Sequence, residues 1–169
     1  MKICKLFALS TIAIAMVISG CANYRLGTTL PAHLKTISIG TFQNQTVEPN
    51  IESRITSAVR REFQRDGQLA IVSEGNGDII LTGILTSYDV SPLLYEKNNP
   101  NTTRRYQAEI ICKVEAVERA TGKTLVSSSV SGDITFPAAG DVVTARRNSL
   151  DAVAKDLAKE VVDAVVSAW

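Results

Sequence analysis

Tyr106-Gln107-Ala108-Glu109-Ile110-Ile111-Cys112-Lys113-Val114-Glu115-Ala116-Val117-Glu118 decides the fold. Ala108, Ile110, Cys112, Val114 and Ala116 take alternate positions, with Glu109, Lys113 and Glu115 between them. Successive side chains on a strand point to opposite faces, so this stretch is a strand with one face buried. Downstream, Thr121-Gly122-Lys123 turns the chain into a second strand, Thr124 to Phe136. Upstream, Asp78 to Asp89 is a long strand whose end Pro92 marks. Leu93 to Thr103, with Asn98-Asn99-Pro100-Asn101, has the composition of a loop. Leu69 to Val72 is a short apolar strand, and Gly75-Asn76-Gly77 is a hairpin turn. These segments predict a meander of antiparallel strands.

Helices flank the meander. Ile51, Ile55, Val59 and Phe63 recur every four residues and share one helical face. Pro49 suits the first turn of that helix. Asp66-Gly67 closes it, glycine being the residue that tolerates the left-handed position after a helix. Before it, Ile37 and Ile39 alternate with Thr36 and Ser38 in a strand from Lys35 to Phe42. The final helix runs from about Asp141 to the C-terminus, with an apolar stripe of Leu150, Val153, Leu157, Val161, Ala164, Val165 and Ala168. Asp151 and Lys155 stand four apart in the favourable order for an ion pair. The order β-α-β-β-β-β-α predicts an α+β fold, a mostly antiparallel four- to five-stranded sheet with two helices packed on one face.

The first twenty residues have a different character. Met1-Lys2-Ile3-Cys4-Lys5 is a short positive end, Leu6 to Ile18 is almost wholly apolar, and Ile18-Ser19-Gly20 precedes Cys21. This is the pattern of an export signal, and the apolar run is short for a bilayer span of about 20 residues. The cysteine after two small residues resembles a bacterial lipobox, in which the thiol takes a diacylglycerol and the new amino terminus a third chain such as palmitate. Several acyl chains hold a protein on a membrane where one does not. The chain thus divides into a lipoprotein signal peptide at 1–20, a lipidated tether at 21–34 and one domain at 35–169. Ala22, rather than Asp, after the cysteine resembles lipoproteins sent to the outer membrane, on its periplasmic side.

The precursor carries 18 Lys and Arg against 17 Asp and Glu. Loss of Lys2 and Lys5 with the signal leaves 16 against 17, so the mature chain lacks the basic excess of a nucleic-acid binder. With Cys4 removed and Cys21 acylated, Cys112 has no disulfide partner within the chain. Cys112 sits among apolar alternating residues, as an inert core thiol does. His33 is the one histidine, and it lies in the tether. A metal site on histidine and cysteine would have only these two residues, far apart in sequence, to draw on. No catalytic set, metal or cofactor is therefore expected, and the chain is read as a non-enzyme. Leu93-Leu94-Tyr95, rimmed by Lys97, Arg104 and Arg105, is the candidate contact region. The apolar trio would meet a partner and the cations an anionic ligand, or Leu93-Leu94 instead completes the strand and tucks under a helix. Arg60, Arg61 and Arg65 are a solvated helix face.

Several segments resemble one family. Gly20-Cys21-Ala22-Asn23-Tyr24-Arg25-Leu26 is similar to the mature start of the lipopolysaccharide-assembly lipoproteins, the LptE family. Leu30-Pro31, Lys35-Thr36-Ile37-Ser38-Ile39 and Phe42-Gln43-Asn44-Gln45-Thr46-Val47-Glu48-Pro49 resemble its first strand and the loop into its first helix. Arg61 to Gly67 and Gly77 to Gly83 extend the likeness, while the second half matches by architecture. The resemblance implies an outer-membrane lipoprotein that plugs a β-barrel translocon of the LptD type. With that partner it would deliver lipopolysaccharide to the outer leaflet, without turnover. The alternative is another envelope accessory lipoprotein, a secretion pilotin or a regulator of cell-wall synthesis.

Overall fold

Two helices lie on one face of a six-stranded sheet in the computed structural model. It describes residues 31–96, 99–138 and 142–168, with the backbone alone at 94–96, 99–104 and 142. The elements are β1 (Thr36–Ile39), β2 (Gln43–Asn44), α1 (Ile51–Asp66), β3 (Ala70–Val72), β4 (Ile79–Glu96), β5 (Asn99–Glu118), β6 (Thr124–Pro137) and α2 (Val142–Val166). Strand order is β3-β1-β4-β5-β6, and β2 pairs with β4.

The alternation in β5 is the centre of the core. Ala108, Ile110, Cys112, Val114 and Ala116 are all buried, as are Ile51, Ile55, Val59 and Phe63 of α1. From α2, Leu150, Val153, Leu157, Val161 and Val165 are buried, whereas Ala164 is half-buried and Ala168 lies exposed beyond the helix end. At 25 residues α2 is about 37 Å long. Gly67 follows α1 at a φ of 74°, but Pro49 sits outside the helix, which begins after Asn50.

The sheet is mixed. β4, β5 and β6 form the antiparallel meander, while β1 pairs in parallel with β3 on one side and β4 on the other. The Ser73–Asp78 link is therefore a crossover between parallel strands rather than a hairpin. It passes directly over β1: a Cβ at Gly77 would lie 2.3 Å from the Ser38 amide nitrogen and 2.7 Å from the Ile37 carbonyl carbon. Only glycine permits that approach. Asp78 then fastens the crossover, its Oδ2 accepting the Lys35 and Thr36 amides at 3.0 Å and the Thr36 hydroxyl at 2.8 Å. These bonds hold the Asp78 carboxyl below its ordinary pKa, the Lys35 amide contributing most.

Two further expectations are revised. Pro92 does not end β4, and the stretch from Leu93 is not a loop, since β4 continues to Glu96 and pairs with β5 throughout. Beyond Leu85 β4 has no neighbour opposite β5 among the described residues, and the register shifts between Pro92 and Leu94. A residue without an N–H is tolerated at such an edge or bulge. Asp151 pairs with Arg54 of α1 at 2.8 Å rather than with Lys155, because the two helices pack side by side.

Candidate partner and ligand surface

The β4–β5 hairpin projects from one end of the sheet and carries the residues singled out by sequence. Leu94 is paired with Arg105 and Tyr95 with Thr103, so the hairpin brings the apolar and cationic stretches side by side. Leu93 completes the strand yet stays exposed, and the Arg105 side chain is exposed too. The side chains of Leu94, Tyr95 and Arg104 lie outside the described residues, as do Lys97 and Cys21. Just inside the hairpin, the Tyr106 and Phe136 rings stack at 6.0 Å between centroids and tie β5 to β6.

A second group of residues, missed by sequence reasoning, gathers at the same end around Arg146 of α2. Its guanidinium lies 5.5 Å from the Tyr88 ring centroid, 3.8 Å from Glu48 Oε2 and 3.9 Å from Asp89 Oδ1. The Tyr88 hydroxyl donates to the Arg146 carbonyl at 2.7 Å and lies 3.0 Å from Ser149 Oγ. Burial pushes the Tyr88 pKa above its ordinary value, so the phenol stays a neutral donor. Arg146 thus joins α2, β4 and the loop before α1.

That loop is ordered by its own side chains. Asn44 Oδ1 accepts from the Thr46 amide and hydroxyl at 2.9 and 2.8 Å, and Asn44 Nδ2 donates to the Glu48 carbonyl at 2.8 Å and Glu52 Oε2 at 3.1 Å. The Phe42 amide donates to Thr56 Oγ1 of α1 at 3.0 Å. The spacing Asn44-x-Thr46-x-Glu48 is therefore a folded clamp that holds Val47 outward. Val47 (88% exposed), Val143 (66%) and Leu93 (46%) are the large hydrophobics exposed among the described residues. In the chain, Val47 precedes Glu48, Val143 is one helical turn before Arg146, and Leu93 lies four residues beyond Asp89 on β4. Exposed aliphatics collected at one end, beside cations, suit contact with another molecule. The apolar Val47 in a polar run was a visible signal. Arg146 gave none, because its partners Glu48, Tyr88 and Asp89 come from two segments distant in sequence.

The chemistry elsewhere is structural. Cys112 is buried and its thiol is pushed up to about 12, leaving almost no thiolate at neutral pH. His33 Nε2 lies 3.0 Å from Glu118 Oε1 at the opposite end of the sheet. Among the described residues no group of three His, Cys, Asp or Glu is placed to hold a metal. A trough of about 350 Å³ on the helix-free face is lined by Thr82, Ile84, Lys113, Glu115, Ser127 and Ser129.

Comparison with known proteins gives a family and a fold. The family model for lipopolysaccharide-assembly proteins, LptE, matches residues 34–169. No curated protein matches the chain by sequence. Among solved structures, protein XCC0632 from Xanthomonas campestris aligns with a TM-score of 0.61 at 10% identity, over 84% of this chain and 89% of its own. The hypothetical protein CT253 from Chlamydia trachomatis gives 0.58 at 7% identity, over 79% and 98%. A PelC dodecamer variant from Paraburkholderia phytofirmans gives 0.55 at 15%, over 83% and 94%. At these identities the likeness is one of fold.

Proposed function

The chain belongs to the LptE family of lipopolysaccharide-assembly proteins, and from that premise we propose that it works as a non-catalytic partner of an outer-membrane β-barrel of the LptD type. It is held on the periplasmic side of the outer membrane through acylated Cys21, occupies the barrel lumen and assists delivery of lipopolysaccharide to the outer leaflet. The observation that carries this reading is the family match across the folded domain, residues 34–169. A barrel wide enough to hold a domain has a polar lumen, which the mostly polar helix-free face and solvated helix faces suit.

Within that reading the hairpin end is the contact surface. Leu93, Leu94 and Tyr95, with Val47 and Val143 beside them, meet the protein partner. Lys97, Arg104 and Arg105 meet the phosphates of the lipopolysaccharide, for which charge-assisted hydrogen bonds are the natural recognition. The test is charge reversal of Arg104 and Arg105 together, Arg104→Glu with Arg105→Glu, with lipopolysaccharide binding and thermal unfolding measured on the same preparation. Binding should weaken about tenfold or more, given the worth of hydrogen bonds to charged groups, with an unchanged melting curve. Equal binding by a folded variant would remove these residues from the ligand surface.

A further inference from the structure

The crossover from Ser73 to Asp78 requires glycine at 77, and that requirement leaves its neighbour unshielded. A Cβ at Gly77 would lie 2.3 Å from the Ser38 amide nitrogen, 2.6 Å from the Ile79 carbonyl oxygen and 2.7 Å from the Ile37 carbonyl carbon. No residue with a side chain fits there. The residue before it is Asn76. Asn76 is exposed, in a turn where its amide donates to the Ser73 carbonyl at 3.1 Å and Gly75 takes a φ of 80°. The side chain that follows an asparagine normally crowds the next backbone nitrogen and keeps the asparagine amide away from it. Gly77 supplies no such bulk.

Two other asparagines show the contrast. Asn50 is also exposed, but Ile51 follows it, β-branched and fully buried at the start of α1. Asn148 lies inside α2, where the helix commits the next backbone nitrogen to a hydrogen bond.

We propose that Asn76 is a site of spontaneous covalent modification, a succinimide formed with Gly77 that water opens to aspartate or isoaspartate. Hydroxide takes the Gly77 amide proton, and the nitrogen attacks Asn76 Cγ. A carbon–nitrogen bond forms, the side-chain amide bond breaks, and ammonia leaves with a proton from water. Water then adds to the ring. Addition at Cγ leaves aspartate; addition at the main-chain carbonyl leaves isoaspartate, whose backbone runs through the side chain and is one methylene longer. That methylene falls where the chain has no slack. Gly77 stands against β1, its carbonyl accepts from Arg119 Nε at 3.0 Å, and Asp78 beside it accepts the Lys35 and Thr36 amides. Isoaspartate at 76 displaces Gly77 or Asp78 and loosens the start of β1, whereas aspartate leaves the backbone as it is. The inference stands on the crossover itself and does not depend on the proposed partner.

The experiment ages the purified full chain in mild detergent in warm, mildly alkaline buffer, beside a urea-denatured sample, and maps the peptides by mass. Asn76 of the folded chain should gain the mass of an amide-to-acid conversion while Asn50 and Asn148 keep theirs. Asn76→Gln, whose longer side chain closes the ring poorly, should stay unmodified at that position. An aspartate-specific protease, which passes over isoaspartate, divides the two products. Urea unfolding of the aged wild type should show a fraction with a lowered midpoint, equal to the isoaspartate fraction. Aged Asn76→Gln and fresh Asn76→Asp should lack it. A folded chain that keeps Asn76 intact for as long as the denatured sample takes to convert it overturns the site. Isoaspartate with an unchanged midpoint overturns its effect on the crossover.

Discussion

Gly132 of β6 lies so close to Leu157 of α2 that a Cβ added at Gly132 would stand 2.4 Å from the Leu157 amide nitrogen. The helix therefore rests on the strand backbone to backbone, and Leu157 drops beside the glycine into a fully buried site. Gly132→Ala should lift α2 and cost about 1–3 kcal/mol, as overpacking does. Leu157→Asp should cost more, because it buries a charge without a partner. Lys155→Asp, at an exposed position two residues away, should cost little. Urea midpoints rank the three, and equal midpoints for Leu157→Asp and Lys155→Asp would show the helix register to be wrong.

Asp78 makes stability depend on acid. Its carboxylate accepts the Lys35 and Thr36 amides and the Thr36 hydroxyl, which lowers its pKa in the folded chain. A lowered folded pKa contributes stability above the unfolded value of about 4, and that contribution is lost as pH falls through the folded value. Asp78→Asn should therefore be less stable than wild type at pH 7 and lose less on acidification. The carboxylate is only half-buried, so the difference is discounted by solvent screening and should be modest. Chemical denaturation at neutral pH and below pH 4 checks it, and parallel pH dependences in the two proteins would contradict it.

Much of this architecture was legible because it is local. The period of two in Tyr106 to Glu118 and the period of four from Ile51 to Phe63 state which faces are buried, and those faces are buried. What escaped was non-local. Gly75-Asn76-Gly77 looks like a hairpin turn, and only the parallel pairing of β3 and β4 to β1 shows that Gly77 is there to clear a strand it crosses. Pro92 looks like a terminator because propensity cannot show that β4 has become an edge. Asp151 has an ion partner in sequence at Lys155 but a better placed one across the helix interface at Arg54. Of the candidate surface, Leu93 and Arg105 were named from local composition, while Arg146, Val47 and Val143 become one surface only when α2, β4 and the loop before α1 meet.

Cys21 carries the anchor in this account. Cys21→Ser removes the thiol that would take the diacylglycerol and, with it, the cleavage that exposes an amino terminus for the third chain. Radiolabelled palmitate should mark the wild-type chain in the membrane fraction and leave the variant unlabelled. Equal labelling of both would contradict the lipobox assignment.

The central claim is that the domain is a stoichiometric partner of a large outer-membrane β-barrel. The most direct measurement is a pull-down of the tagged full chain in mild detergent, from cells that make lipopolysaccharide, with mass spectrometry of whatever accompanies it. The account predicts a single large β-barrel in near-equal amount, reduced when Val47 and Leu93 are replaced by Asp at the exposed end of the domain. A clean, folded preparation without any large β-barrel, or one carrying a secretin or a cell-wall synthase instead, would contradict it.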